Sequence, residues 1–309
     1  MSSITPSGKP STTASLMQNN NMLGFLFMLP AAVFLICFLT YPLGLGVWLG
    51  FTDTRIGRDG VFIGIENYEF LARDSVFWLS VYNTLLYTFV ASILKFVLGL
   101  WLALLLNENL PFKSSSADRA LPWVVPTVLS ALAFWWIYDS QFSIISWSLM
   151  QLGIIDGPIN FLGDPNNARA SVIAANVWRG IPFVAISLLA GLQTIPASLQ
   201  EAASLDGATS WQRFRYVTLP MLTPIIAVVM TFSVLFTFTD FQLIYVLTKG
   251  GPVNATHLMA TLSFQRGIPG GQLGEGAAIA VAMIPFLLAA IMFSFFGLQR
   301  RKWQQGGQD

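Results

Sequence analysis

An all-α integral membrane protein with six transmembrane helices is the fold class this sequence predicts, on three observations. Only 10% of the 309 residues are charged and 54% are hydrophobic. Soluble domains carry about 25% charged residues, so a soluble chain of this size would lack the polar surface that keeps it in solution. Six stretches are long and apolar enough to cross a bilayer, which takes about 20 mostly apolar residues. Finally, the basic cluster Arg300-Arg301-Lys302 stands directly after the last stretch, where positive charge holds a chain end on the cytoplasmic face.

In chain order, residues 1–21 (MSSITPSGKPSTTASLMQNNN) are rich in Ser, Thr and Asn and have little to bury, so they read as a disordered cytoplasmic tail. The apolar run that follows is longer than a signal-peptide core and has no clear cleavage site after it. It therefore reads as an uncleaved first span, opening a membrane domain over 22–299. The spans are expected at 23–50, 79–106, 120–138, 171–194, 221–247 and 274–298. Pro30, Pro42, Pro126, Pro182 and Pro285 fall inside them, as packed membrane helices tolerate. An even number of spans puts both termini on one side. With the termini inside, the inner segments hold Lys9, Lys113, Arg119, Arg213, Arg215, Arg300, Arg301 and Lys302. The outer segments hold Arg55, Arg58, Arg73, Arg169, Lys249 and Arg266. The terminal cluster decides for cytoplasmic termini, and 300–309 becomes a short cytoplasmic tail.

Several functions are excluded or left without support. A net charge of +1 gives no electrostatic case for nucleic acid. The lone Cys37 forms no intrachain disulfide, and His257, in a polar loop, is expected to be solvated. No metal-spaced cluster or nucleophile–base constellation occurs, so neither a metal nor a catalytic residue is expected. No G-x-x-x-x-G-K-[ST] loop is present either. SGKPST near the start lacks the preceding glycine, so the chain has no phosphate cradle of its own.

Charged residues within spans are costly and therefore informative, and three occur: Lys95, Arg179 and Asp240. Lys95 stands alone among apolar residues and is expected at a helix–helix contact, or snorkelling toward an interface. In the fourth span Asn176, Arg179, Gly180 and Phe183 fall at i, i+3, i+4 and i+7, which is one helix face. In the fifth, Ser233, Thr237 and Asp240 fall at i, i+4 and i+7. Two polar faces on helices that flank one loop suit an aqueous cavity. The alternative is that Arg179 and Asp240 neutralise each other inside the bundle.

The flanked loop spans 195–220 and contains EAASLDGATSWQRFRYVTLP at 201–220. Ser198 with Glu201 and Thr209 with Gln212 are capping-box pairs, so short helices are expected at 198–205 and 210–218. Asp206-Gly207 supplies a sharp turn between them, and Leu219-Pro220 is expected to end the second. From physics alone this is either an amphipathic loop on the lipid surface or a rigid knob for a partner's groove.

A resemblance separates the two. The stretch resembles the EAA signature of ABC-importer permeases: Glu-Ala-Ala, a Gly shortly after, and a final Leu-Pro. IGIENY at 63–68, NTLLYT at 83–88, LPWVVPTV at 121–128 and LTKGGP at 247–252 extend the likeness. It is strongest to the maltose-permease-like branch, which imports sugars, polyols and glycerol phosphates. The resemblance implies a type I ABC importer permease with a MetI-like core. It implies that Glu201, Ala202, Ala203, Asp206 and Gly207 belong to a coupling helix docked on a cytoplasmic ATPase. The implied partners are a second permease, two copies of the ATPase, which would bind ATP and Mg, and an extracytoplasmic solute-binding protein. Substrate contacts are implied at Asn176, Arg179, Gly180, Phe183, Ser233, Thr237 and Gln242, with Asp240 beside them. Arg179 and Gln242 depart from the branch's pattern, in which apolar residues can stand there, and leave the sugar and its charge open. The competing reading is a secondary transporter or channel driven by an ion gradient, for which the chain offers only Asp240.

Overall fold

The computed structural model describes residues 20–107 and 125–305. The expected tail over 1–21 lies almost wholly outside the described residues, as do 120–124 of the third expected span and the end of the C-terminal tail. Among the described residues regular structure is helical, apart from two isolated bridges in the 52–62 loop.

The first span is built from α1 (Asn20–Leu35) and α2 (Tyr41–Leu49), joined through a π turn at Ile36–Thr40. None of its apolar residues is buried against the rest of the chain. After a loop and the short α3 (Glu66–Arg73), the long α4 (Ser75–Asn107) forms the second span. Of the third expected span, the described part is α5 (Thr127–Ile137), whose 11 residues are too few to cross a bilayer alone. A connecting segment with α6 (Ile144–Gln151) leads to α7 (Pro165–Leu192), opened by an Asp164 cap that accepts from the Asn166 and Asn167 amides.

The loop between the fourth and fifth spans departs from expectation in two ways. Its first helix, α8 (Ala197–Leu205), starts after Pro196 with no side-chain cap. The extended Pro196 begins the helix ahead of Ser198, so the Ser198–Glu201 capping box does not form. Leu219-Pro220 does not end the second helix either. α9 (Ser210–Arg213) passes through a π turn at Phe214–Thr218 into α10 (Leu219–Phe238). A proline ring clashes with the carbonyl four residues back, and both π turns contain that residue, Phe38 for Pro42 and Tyr216 for Pro220. The wider turn sends the Tyr41 amide to the Ile36 carbonyl and the Leu219 amide to that of Phe214, and the helix continues through the proline.

α10 stops at Phe238, and after Thr239–Phe241 the chain resumes as α11 (Gln242–Leu247), so the fifth span is interrupted. α12 (Met259–Gly267) and α13 (Leu273–Gln305) complete the chain, the latter running past its expected end at 298. Three apolar clusters hold these helices together. Phe77, Val81, Phe238, Met259 and Ile279 join α4, α10, α12 and α13. Tyr87, Ala131, Val172, Leu243 and Leu258 form a second, and Ala103, Val184, Leu188 and Leu222 a third.

His257 is not solvated as its polar neighbours suggest; it is 3% exposed. Asn83 of α4 donates to the carbonyls of Asn254 and His257, while Arg169 of α7 donates to Asn83 Oδ1 and the Ala255 carbonyl. These bonds draw the 248–258 loop onto the bundle, and burial lowers the His257 pKa to about 4.

Candidate functional site

Between α4, α7, the end of α10 and the start of α11 lies a cavity of about 610 Å³. The eight residues expected along a substrate pathway, Asn176, Arg179, Gly180, Phe183, Ser233, Thr237, Asp240 and Gln242, all line it. The helical spacing of the α7 residues turns them to one side. The interruption after Phe238 then turns Asp240 inward and places Gln242 at the first turn of α11. Phe183 meets Phe236 edge to face with ring centroids 6.4 Å apart, giving the cavity an aromatic wall.

Polar groups inside this wall are organised around Asp240, which is 6% exposed. Its Oδ2 accepts from the Tyr87 hydroxyl at 2.8 Å and from Asn176 Nδ2 at 2.9 Å. The Arg179 guanidinium stands 3.6 Å away and donates at 2.6 Å to Thr127 Oγ1 at the start of α5. The Arg179–Asp240 pair of the alternative reading therefore exists, but it forms part of the cavity wall: the Arg179 side chain is 21% exposed.

Lys95 departs from expectation in part. It makes the expected helix–helix contact, to Thr237 of α10 and Gly180 of α7, and does not snorkel, but the contact is polar and lines the same cavity, with Lys95 4% exposed. Its Nζ donates at 2.5 Å to Thr237 Oγ1, which in turn donates to the Ser233 carbonyl. The Lys95 stem lies across Gly180, so closely that a Cβ there would run into it. Thr127, Tyr87 and Phe236 were not singled out from the sequence. Tyr87 and Thr127 lie inside the family-like stretches NTLLYT and LPWVVPTV, but nothing in those stretches pairs them with Asp240 and Arg179. Two buried atoms in the lining, Asn176 Oδ1 and Ser233 Oγ, have no hydrogen-bond partner. Among the described residues no group of His, Cys, Asp and Glu could hold a metal.

At the other end of α7 and α10 lies the 195–220 loop. Glu201, Ala202, Asp206 and Gly207 are exposed and Ala203 is half-buried. Gly207 sits at φ +80°, with its amide on the Ser204 carbonyl and the Ala208 amide on that of Ala203. That is a Schellman ending for α8, which glycine accommodates without strain. The Thr209–Gln212 capping box forms as expected. Gln200 Nε2 bonds Thr218 Oγ1 at 3.0 Å, tying α8 to the run that leads into α10. Leu205 and Trp211 project outward, 89% and 67% exposed.

Comparison with known proteins adds the following. Residues 95–305 match the family described as binding-protein-dependent transport system inner membrane components. A trehalose/maltose transport system permease from Thermococcus litoralis is 35% identical over 294 residues, covering 94% of this chain and 98% of that protein. A sulfoquinovosyl glycerol transport system permease from Agrobacterium fabrum is 36% identical over 279 residues, covering 89% of each. Among solved structures, a bacterial ABC transporter involved in alginate import superposes with a TM-score of 0.78 at 23% identity, over 91% of this chain and 96% of that one. At that identity the likeness speaks for the fold.

Proposed function

Because this chain belongs to the family of binding-protein-dependent transport system inner membrane components, we propose that its cavity is half of a sugar pathway and its 198–207 helix the point of coupling. It is a multi-pass membrane permease subunit of an ABC importer, and not itself an enzyme. The remaining assignments are our reading. The cargo is a sugar or polyol, as the names of the relatives suggest. A second permease supplies the facing wall, and two ATPase copies bind ATP and Mg, this chain holding no cofactor. An extracytoplasmic binding protein delivers the cargo. The chain sits in a bacterial inner membrane with both termini cytoplasmic, which agrees with its terminal basic cluster.

One observation carries this reading. The seven polar and aromatic positions, with Gly180, converge on one cavity, and the two helices that supply most of them are those joined by the 195–220 loop, whose coupling positions are exposed. Closing the ATPase dimer would move α8 as a rigid body and rock α7 against α10, changing which side the cavity faces. An ion-gradient-driven transporter would leave that loop without a task.

Reconstitution tests it. The chain, its partner permease and the ATPase are placed in proteoliposomes with the binding protein outside. Uptake of labelled sugar is expected to need both ATP and the binding protein and to survive collapse of the ion gradients. Uptake that follows an ion gradient without ATP would refute the proposal.

A further inference from the structure

We propose that the cargo carries an anionic group, a carboxylate, sulfonate or phosphate, and that Lys95 and Arg179 receive it; this rests on the cavity being the sugar pathway. The argument is one of charge and unmet hydrogen bonds. Among the described residues the lining holds two cations, Lys95 and Arg179, and one carboxylate, Asp240. That carboxylate is engaged at Oδ2 by Tyr87 and Asn176, with Arg179 at 3.6 Å, and at Oδ1 by the Leu243 amide at 3.4 Å, so both of its oxygens have other partners. Lys95 is 4% exposed, its ammonium donates to a hydroxyl, and no carboxylate among the described residues comes within 4.0 Å of it. A buried cation with no carboxylate in contact is costly, and an incoming anion offsets that cost.

Geometry supports the same ligand. Arg179 offers a planar fork suited to carboxylate, sulfonate or phosphate oxygens, and its partly exposed side chain can turn to them. Ser233 and Asn176 line the cavity, and among the described residues Ser233 Oγ and Asn176 Oδ1 lack partners, so a small side-chain turn lets them bond the hydroxyls of the same sugar. Phe183 and Phe236, packed edge to face, give an aromatic surface on which a sugar ring can lie. An anionic head beside Lys95 with a hydroxylated ring on the aromatic wall satisfies every one of these groups; a neutral sugar leaves the lysine unmatched.

The test uses matched pairs that differ in charge: glucose and glucuronate, galactose and galacturonate, glucosyl glycerol and sulfoquinovosyl glycerol, glycerol and glycerol 3-phosphate. Each is screened by thermal shift on the purified binding protein, and the hits are carried into uptake by the reconstituted complex. The expected result is ATP-driven uptake of acidic members, at least about tenfold faster than of their neutral partners. Lys95→Gln should then lower uptake of the acidic cargo about ten- to a hundredfold, the range for losing one charged hydrogen bond. ATP-driven uptake that favours neutral sugars overturns the proposal and leaves the sugar-importer reading standing. Uptake that needs neither ATP nor the binding protein overturns that reading itself. A Lys95→Gln complex that transports the acidic cargo at the wild-type rate removes Lys95 from the site. If Lys95→Gln fails to assemble, the preference of the wild-type complex within each pair decides.

Discussion

A double-mutant cycle on Arg179 and Asp240 asks whether their ion pair is a structural contact or a wall of the pathway. Arg179→Ala removes the guanidinium; Asp240→Asn removes the charge but keeps an oxygen for the Tyr87 hydroxyl. The two charges stand 3.6 Å apart. Coulomb's law at that separation gives about 1 kcal/mol in a water-like medium and about 5 kcal/mol at an effective dielectric of about 20. The Arg179 side chain is 21% exposed to the cavity and that of Asp240 4%, so the pair lies between these limits, with water at the guanidinium lowering the coupling. A coupling of about 1–2 kcal/mol is expected from thermal unfolding of the four purified proteins. Arg179→Ala should assemble normally yet lose about ten- to a hundredfold in uptake. A coupling near 5 kcal/mol, with uptake restored in the double mutant, would refute the reasoning. Arg179 would then be a structural ion, and substrate contact would fall to Asn176, Thr237 and Gln242.

Other expectations are as specific. Gly207→Val forces a β-branched residue to φ +80° where no atom lies close enough to clash. The cost is therefore backbone strain of about 1–2 kcal/mol, and the complex should assemble while transport and binding-protein-stimulated ATP hydrolysis fall; unchanged transport would make the loop a mere surface helix. Gly180→Ala drives a methyl into the Lys95 stem, so uptake should fall with little change in melting temperature. His257 keeps its neutral form in the fold, with a pKa of about 4 against about 6.5 unfolded. Its contribution is complete above about pH 6.5 and lost as pH falls toward 4, at up to about 1.4 kcal/mol per pH unit. The melting temperature of detergent-solubilised protein should drop over that window, and less steeply in His257→Asn. Reporters fused after Asp309 and within 201–220 should read cytoplasmic and one near Asn254 external; an external C-terminus would overturn the orientation.

Helical periodicity made much of the site legible. Asn176, Arg179, Gly180 and Phe183 share a face by spacing alone, as do Ser233 and Thr237, and the cavity gathers them all. The Thr209–Gln212 box is likewise a local rule obeyed locally. What escaped were effects of tertiary context. Tyr87 and Thr127 reach Asp240 and Arg179 from other helices, and the motifs that contain them do not say which residues they meet. Lys95 looked like a stray charge because its partner, Thr237, is 142 residues away. His257 sits among polar residues that suggest water, and is buried by bonds from Asn83 and Arg169. Pro220 reads as a stop, and the π turn before it absorbs the clash that would have made it one.

That π turn has a bearing on how the chain tolerates changes of length. The helical run from Ser210 to Phe238 links the exposed loop to the cavity wall at Thr237, and each α-helical residue advances the winding by about 100°. Deleting one residue from the α-helical part of the run would turn Trp211 and the EAA loop about 100° away from their present phase relative to Thr237. The turn at Phe214–Thr218 holds one residue more than α winding needs. Losing one there lets it tighten to α geometry while the two ends keep their phase. The same holds at Ile36–Thr40 in the first span. The two π turns are thus the positions where these helices can shed a residue and still present the same faces at both ends.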